Sequence, residues 1–161
     1  MDDVASVISI LNMKGGVGKT TLTSNLAVQL SEKGYKVLLI DLDPQFNATQ
    51  SIFKYAYGNM EEYFRLKNEL YTISLVLAEK SSGLAQMSAQ GKNELDVIHK
   101  ITETLHIIPG DLSLVVDTNS TSATRLKGFF NKYKIRNDYN FIIIDCPPTW
   151  GTITSIALEL S

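Results

Sequence analysis

The stretch that decides the fold is Lys14-Gly15-Gly16-Val17-Gly18-Lys19-Thr20-Thr21. It follows a short, almost uninterrupted apolar run at residues 7–11, which is typical of a buried strand in a parallel sheet. The glycine-rich stretch therefore predicts a turn that joins the carboxyl end of a strand to the amino end of a helix. The helix is indicated by apolar residues that recur with its period, at Leu22, Leu26, Ala27 and Leu30.

The residue types in this turn point to an anion as the ligand. Glycines allow backbone conformations that a Cβ would forbid, and they let successive N–H groups converge on one anion. The amino end of the following helix adds a partial positive charge. Lys19 supplies a full charge to the β- and γ-phosphates of a nucleotide, and the Thr20 hydroxyl is placed to bind Mg²⁺. The stretch predicts a phosphate-binding loop, the alternative being a glycine turn that only connects two elements.

Two later apolar runs predict further strands of the same sheet. Residues 37–40 form the first, which ends at Asp41 and follows Gly34, a glycine in the position that terminates a helix. Strand, turn, helix and strand in this order make a βαβ unit. Residues 141–144 form the second run, which ends at Asp145 and is halted by two prolines. The predicted fold class is α/β, a doubly wound and mostly parallel sheet with helices on both faces.

Three carboxylates stand at the ends of these strands. Open α/β sheets bind their ligands at the carboxyl ends of the strands, where Asp41, Asp43 and Asp145 are placed. Asp41 and Asp43 would share a face if the strand continued, but it ends here, so their side chains can also diverge. Either could instead cap the following turn. A carboxylate at Asp145 is expensive to bury unless it is paired or near a metal, which favours a metal-holding role over a solvent-facing strand end.

The remaining elements are less distinct. Residues 47–53 and 60–77 predict helical segments, residues 79–94 a mobile loop or weak helix, residues 105–108 a strand and residues 121–133 a helix. Ile153, Ile156, Ala157 and Leu160 give a last helix an apolar face, with no further strand to cover it. We therefore expect residues 1–161 to form a single domain whose C-terminal part is missing, with residues 55–100 as a variable helical and loop region.

The composition limits the kind of protein. The 161 residues include 15 Lys+Arg, 17 Asp+Glu and 44% hydrophobic residues. This excludes a strongly basic nucleic-acid binder over the chain as a whole, though not a local basic patch. One cysteine cannot make an internal disulfide, which favours a reducing compartment. The amino terminus lacks the positive region of a signal peptide, and no stretch approaches the roughly 20 apolar residues that span a bilayer, so we expect a cytoplasmic protein.

Several residues outside the loop are expected to have ordinary roles. Cys146 is predicted to be a buried, inert thiol. His99 and His106 have no Cys or His partner at metal spacing, which favours surface or core histidines. A solvated helix face is expected rather than a contact with DNA phosphates for the basic stretch of Arg125, Lys127, Lys132, Lys134 and Arg136.

Three motifs in order carry a resemblance to a known family. Met13 stands where the common phosphate-loop pattern has its first glycine, and Lys14 adds a second lysine inside the loop. This resembles the signature K-G-G-x-G-K-[ST] of the deviant Walker A ATPases. Within that group the chain is most similar to the ParA/Soj type of DNA-partition ATPase, because two later segments also match it. They are Asp41-Leu42-Asp43-Pro44-Gln45 with Asn47-Ala48-Thr49, and Ile144-Asp145-Cys146-Pro147-Pro148 with Gly151.

The resemblance implies a fold, an activity and partners. It implies a P-loop NTPase fold, ATP and Mg²⁺ as cofactors, and hydrolysis of ATP to ADP and phosphate. ATP would close a homodimer that binds DNA non-specifically at the nucleoid, and a ParB-like centromere-binding protein would stimulate hydrolysis. Such proteins segregate plasmids or chromosomes.

Roles for individual residues follow from the same resemblance. Asp43 would position the attacking water, and Lys14 would reach the ATP of the partner subunit. Thr20, with Asp41 and Asp145 through water, would hold Mg²⁺. Trp150 is expected to pack, the alternative being a contact across the dimer. ATP binding would fall to Lys14, Gly15, Gly16, Val17, Gly18, Lys19, Thr20 and Thr21, with Gly151 offering a backbone N–H to the γ-phosphate.

Other proteins with this kind of loop remain as alternatives. A MinD-like membrane switch would carry an amphipathic C-terminal helix, and no stable membrane anchor is seen here. A P-loop iron–sulfur carrier needs cluster cysteines, and a tyrosine kinase of this class needs a C-terminal tyrosine cluster. The chain could also bind phosphate and hydrolyse nothing, if parts of the site and dimer face are absent.

Overall fold

A five-stranded sheet forms the centre of the protein. The computed structural model describes residues 4–77, 91–114 and 120–161. Within these ranges the strand order is β1-β5-β2-β4-β3, and all neighbouring pairs are parallel except β3 with β4. The strands are β1 (Ser6–Ile10), β2 (Val37–Asp41), β3 (His99–Lys100), β4 (Leu105–Ile108) and β5 (Phe141–Asp145).

Helices cover both faces of the sheet. On one face, α1 (Lys19–Glu32), α2 (Asn47–Tyr57) and α3 (Glu61–Asn68) pack against the strands. On the other face lie α4 (Ile73–Leu77), α5 (Ser120–Lys132) and α6 (Thr152–Leu160). Short 3₁₀ turns occupy Glu94–Val97 and Ile135–Asn137. The predicted doubly wound α/β sheet is confirmed.

The two helical layers explain the unbroken apolar sequence of β2. Val37 and Leu39 belong to the core beneath α1 and α2, whereas Leu38 and Ile40 belong to the core on the opposite face. All four side chains are fully buried. A strand that is buried on both faces has no solvent side on which a polar residue would be favourable, so its residues do not alternate.

The register of the sheet brings the three motifs together. Asp145 at the end of β5 pairs with Ile10 of β1 on one side and with Asp41 of β2 on the other. The carboxyl ends of these three parallel strands are therefore level. The glycine-rich loop and the segments after β2 and β5 all leave the sheet from this edge.

Several local predictions are confirmed. Helix α1 ends where expected, because Gly34 follows it with φ 89°, a left-handed conformation that favours glycine. In α5 the predicted apolar residues Leu126, Phe129 and Phe130 are buried. Residues 78–90, most of the predicted loop or weak helix, lie outside the described residues.

Two elements differ from what the sequence indicated. The apolar face of α6 is covered, because Ile153, Ile156 and Leu160 join the core formed with α5 and β1. Strand β3 was not predicted, because two residues are too short to produce a recognisable apolar pattern.

Candidate functional site

A cavity of about 480 Å³ opens at the carboxyl edge of the sheet, beside the glycine-rich loop. The amino end of α1 and the segments that follow β2 and β5 contribute to its wall. The residues that line it are Gly15, Gly16, Gly18, Lys19, Thr20, Thr21, Asp43, Gln45, Asn47, Ser51 and Pro148. Most of the predicted phosphate-loop residues are thus brought to one cavity together with Asp43.

The backbone of the loop requires glycine at two positions. Gly16 has φ 72° and Gly18 has φ 87°, a region in which a side chain would strain the backbone. Gly18 is the N-cap residue of α1, and no side chain caps the helix. The first N–H groups of a helix have no partner within it, so this end of α1 is suited to binding an anion.

The two lysines of the loop are placed differently. The ammonium of Lys19 lies 3.4 Å from the carbonyl oxygen of Lys14, a long hydrogen bond across the loop, and Lys19 lines the cavity. Lys14 is exposed and is absent from the cavity wall, although its backbone N–H is fixed by Asn12 Oδ1 at 2.9 Å. Lys19 is therefore available to a phosphate in this cavity, whereas Lys14 is not among the residues that line it.

Asp145 is fully buried at the end of β5 and is held by α1. Its two carboxylate oxygens accept hydrogen bonds from Thr20 Oγ1 at 2.9 Å and from Thr23 Oγ1 at 2.8 Å. Burial raises the pKa of this carboxyl, and the two threonine hydroxyls partly offset that rise. Thr23 was not predicted as a site residue. Its spacing of three from Thr20 on one helix face was the signal that could have indicated it.

Asp43 faces the cavity from the segment after β2. One of its carboxylate oxygens accepts the N–H of Gln45 at 2.9 Å, and its carbonyl accepts the N–H of Phe46 at 2.8 Å. The side chain is 7% exposed. A turn therefore fixes Asp43 at the wall of the cavity, where its remaining acceptor capacity can meet a ligand or water.

Asp41 is fully buried and does not line the cavity. Its carboxylate accepts hydrogen bonds from the N–H of Asp43 at 3.2 Å and from the N–H and hydroxyl of Thr49 at 2.8 Å and 2.7 Å. Burial, and secondarily the charge of Asp145, raise the pKa of Asp41 to about 7. The side chains of Asp41 and Asp43 therefore diverge. The assignment of Asp41 to the Mg²⁺ network stays a prediction that these contacts do not favour.

The segment after β5 contains three residues for which the sequence made predictions, and the structure agrees with these to different degrees. Cys146 is buried, as predicted, and burial raises the pKa of its thiol to about 12, while its lack of reactivity stays a prediction. The expectation that Trp150 packs is wrong, because it is 65% exposed. Gly151 is the N-cap residue of α6 and does not line the cavity, so its contact with a γ-phosphate stays a prediction.

The histidines make ordinary side-chain contacts. His99 stacks on Phe53 with ring centroids 5.5 Å apart, and its Nε2 lies 3.0 Å from the Tyr57 hydroxyl. His106 Nδ1 lies 2.8 Å from the Tyr139 hydroxyl. Both histidines are therefore used in packing and side-chain hydrogen bonds, as the sequence indicated.

Most of the basic stretch is engaged within the chain. Arg125 donates to the Leu77 carbonyl at 2.8 Å, and Lys132 pairs with Glu94 at 2.9 Å. Lys127 pairs with Glu159, and Arg136 donates to the carbonyl of Leu160. These contacts favour the structural interpretation of the stretch over a DNA-binding one.

The oxygen atoms at and next to the cavity are suitable ligands for a magnesium ion bound with a nucleotide. Mg²⁺ prefers oxygen ligands and retains several waters, so one hydroxyl and one carboxylate beside a phosphate site are sufficient protein ligands. Thr20 and Asp145 provide this pair. Within the described ranges no group of three or more His, Cys, Asp or Glu side chains converges on a metal site.

Comparison with known proteins agrees with the geometry of the site. Residues 5–161 match the family described as AAA domain, with the ParA/Soj motifs at the cavity. The chain belongs to this family, as a ParA/Soj-type P-loop protein. The sporulation initiation inhibitor protein Soj of Bacillus subtilis is 34% identical over 158 residues, which is 98% of this chain and 56% of Soj.

Two solved structures with nucleotides resemble this ParA/Soj-type chain. A plasmid partition protein of Borrelia burgdorferi with bound AMPPNP is 25% identical, with a TM-score of 0.71 over 98% of this chain and 60% of that one. Cobyrinic acid a,c-diamide synthase of Mycobacterium smegmatis, with a bound ATP analogue and magnesium, is 26% identical, with a TM-score of 0.72 over 98% and 57%.

The match covers only part of each relative. The chain spans about half the length of the curated relatives it matches, for example 51% and 56% of the first two. In the part of the chain that the structure describes, no helix is both long enough and apolar enough to span a bilayer.

Proposed function

We propose that this protein is a Mg²⁺-dependent ATPase whose nucleotide cycle switches its association during plasmid or chromosome partitioning. The observation that carries the proposal is the hydrogen bond of 2.9 Å by which Thr20, which lines the cavity with Lys19 and Asp43, reaches the buried carboxylate of Asp145. A magnesium nucleotide needs a hydroxyl, a carboxylate and an ammonium group at the glycine-rich start of a helix.

The loop binds the triphosphate. The phosphate oxygens accept hydrogen bonds from backbone N–H groups of residues 15–21 and from the ammonium of Lys19, since the amino end of α1 has no side-chain cap. Thr20 would hold Mg²⁺ directly, and Asp145 would hold it through water. The metal, when bound, neutralises charge that develops on the phosphate oxygens. Thr23 keeps Asp145 oriented by its own hydrogen bond of 2.8 Å.

Asp43 positions the water that attacks the γ-phosphate. Phosphoryl transfer depends on positioning and charge stabilisation rather than on a strong base, so a carboxylate with a fixed orientation is sufficient. The N–H of Gln45 supplies that fixation by binding one of its oxygens. Lys14, which is exposed beside the loop, contributes its charge to the nucleotide of a partner subunit. Gly151 offers its N–H to the γ-phosphate when the dimer closes.

The switch operates on the whole protein. ATP favours a homodimer that binds DNA non-specifically at the nucleoid in the cytoplasm, and a ParB-like protein stimulates hydrolysis and release. Nucleotide must bind the dimer more tightly than the monomer, since a ligand shifts an equilibrium only by its differential affinity. The partition functions named for the relatives support this choice over a MinD-like membrane switch or an iron–sulfur carrier.

Nucleotide binding by matched lysine variants tests the proposal. Lys19→Ala removes the ammonium at the cavity, whereas Lys33→Ala removes an exposed lysine beyond the end of α1. Titration of a fluorescent ATP analogue in Mg²⁺ is expected to show no detectable binding for Lys19→Ala and unchanged binding for Lys33→Ala. Equal affinity in the two variants would contradict the proposed site.

A further inference from the structure

A buried hydrogen-bond network lies behind the wall of the cavity. It joins Asp41 at the end of β2, Thr49 in the first turn of α2 and Gly110 after β4, all of which are buried. The Thr49 hydroxyl donates to Asp41 at 2.7 Å and accepts the N–H of Gly110 at 2.9 Å. Three segments that are distant in the sequence are thereby connected through one side chain.

Both oxygens of Asp41 are used by protein donors. Oδ2 accepts the N–H and the hydroxyl of Thr49, and Oδ1 accepts the N–H of Asp43. A buried carboxylate that loses such partners bears a large desolvation cost. The network therefore resists any rearrangement that would turn Asp41 toward the cavity.

The packing around Gly110 leaves little space beside the Asp41 carboxylate. A Cβ at this glycine would lie 3.0 Å from Cγ of Asp41 and 3.0 Å from Cβ of Phe46. The hydroxyl of Tyr63 donates to the Gly110 carbonyl at 3.2 Å, and the Tyr63 ring stacks on Phe46 with centroids 5.2 Å apart. Asp41 is consequently confined between the loop after β4 and the turn that carries Asp43.

We propose that Asp41 is a positioning residue, anchored by Thr49, that fixes the backbone of Asp43 and thereby the orientation of the Asp43 carboxylate at the cavity. In this arrangement Asp41 makes no contribution to the Mg²⁺ network. The inference rests on the proposed function, since it concerns the group that positions water in that reaction.

Variants of Thr49 test the anchor through catalysis. In the full-length protein, Thr49→Val keeps the shape of the side chain and removes the hydroxyl, whereas Thr49→Ser keeps the hydroxyl. Small displacements of a positioned group can reduce turnover about 100-fold. We expect Thr49→Val to lower kcat by about 10- to 100-fold with KM for ATP changed less than about twofold, and Thr49→Ser to restore most of kcat.

Two further variants separate positioning from loss of stability. Thr72→Val removes another buried threonine hydroxyl, which is bonded to Asp111 at 3.1 Å, and it should leave kcat unchanged. Gly110→Ala keeps both hydrogen-bonding partners of Thr49 but displaces Asp41, so it should lower kcat as Thr49→Val does. Normal turnover in Thr49→Val or Gly110→Ala, or an equal loss in Thr72→Val, would overturn the proposal.

The effect of Mg²⁺ on nucleotide affinity gives a readout without turnover. A fluorescent ATP analogue is titrated in Mg²⁺ and in EDTA. The dissociation constant in EDTA is divided by that in Mg²⁺, and this ratio is compared between variants. Asp145→Asn should reduce this ratio, whereas Asp41→Asn and Thr49→Val should retain the wild-type ratio. A ratio that falls in Asp41→Asn as it does in Asp145→Asn would show that Asp41 contributes to the Mg²⁺ network, and it would overturn the inference. Unimpaired binding by Lys19→Ala would instead refute the proposed function itself.

Discussion

Burial sets the reactivity of single residues at the end of β5. Cys146 follows Asp145 directly, is itself buried, and has a thiol whose pKa is raised to about 12 by desolvation first and by nearby carboxylates second. The thiolate is the reactive form of cysteine, so the native residue is almost entirely in its unreactive form at pH 8.

Cys146 should therefore react with a thiol reagent only when the chain unfolds. A rise of three pKa units lowers the thiolate fraction about 1000-fold, and burial slows access further. We expect an aromatic disulfide reagent at pH 8 to modify the thiol rapidly in denaturant and very slowly in native buffer. Similar rates in the two conditions would show that the thiol is exposed.

The raised pKa of Asp41 predicts a pH dependence of stability. The carboxyl has a pKa of about 7 in the folded chain against 3.8 for the unperturbed group, so the native state binds the proton more tightly. The contribution of this group is fully present below about pH 4 and is lost as the pH rises to about 7, at about 1.4 kcal/mol per pKa unit. Asp145 acts in the same direction, because its pKa is also raised.

Urea unfolding at pH 5, 6, 7 and 8 measures this contribution. The wild-type free energy of unfolding contains opposing terms from His99 and His106, whose pKa values are lowered by burial. The difference between wild type and Asp41→Asn removes those terms. We expect wild type to lose stability relative to Asp41→Asn between pH 5 and 7, and parallel curves above that range. A difference that is constant from pH 5 to 8 would contradict the raised pKa.

At the scale of elements, one glycine lies at the end of a helix and another lies in the interior of a helix. Gly34 ends α1 with φ 89°, and its N–H binds the carbonyl of Ser31 at 2.9 Å. Gly128 lies inside α5 and is exposed, and a Cβ at this position would meet no atom within 4 Å. The same substitution should therefore have opposite effects at the two positions.

Gly34→Ala should destabilise the fold by about 1 kcal/mol, because a Cβ is unfavourable in the left-handed region. Gly128→Ala should stabilise it by about 0.5–1 kcal/mol, because alanine is the better helix former. Chemical denaturation of both variants measures these changes. Changes of the same sign would contradict either the helix end at Gly34 or the position of Gly128 inside α5.

At the scale of the whole molecule, the position of Lys14 predicts a role in assembly. Its side chain is exposed and outside the cavity wall, so it is available to a nucleotide bound by another copy. Lys14→Ala in the full-length protein should retain ATP binding and lose both ATP-dependent dimerisation and hydrolysis. Light scattering and phosphate release measure these properties, with Lys33→Ala as the control. Normal turnover in Lys14→Ala would contradict a contribution from the partner subunit.

Loss of the Asp43 carboxylate should have the opposite effect on assembly. Asp43→Ala leaves Lys19, Thr20 and Asp145 in place, so ATP still binds, but the attacking water is no longer positioned. The variant should accumulate as an ATP-bound dimer, seen as a stable larger species by light scattering. A monomer that hydrolyses ATP at the wild-type rate would refute the role assigned to Asp43.

The phosphate loop, the main strands and the fold class could be predicted because their signals are local. The turn is specified by the glycines and lysines of residues 14–21, and β2 by four consecutive apolar residues. Such patterns depend on neighbours in the chain, so they are legible before any packing is known. The same holds for Gly34, whose position after a helical period indicated the left-handed conformation that the structure has.

The different surroundings of Asp41 and Asp43 are set only by the tertiary structure. The two carboxylates are two residues apart, and the sequence does not specify that Thr49 and Gly110 enclose the first and leave the second at the cavity. The exposure of Trp150 belongs to the same class, and so does the partner of Thr23, since helical spacing puts Thr23 beside Thr20 without specifying that both bind Asp145. Each depends on which segments meet across the sheet, because hydrogen bonding and burial are set by distance in space rather than by spacing along the chain.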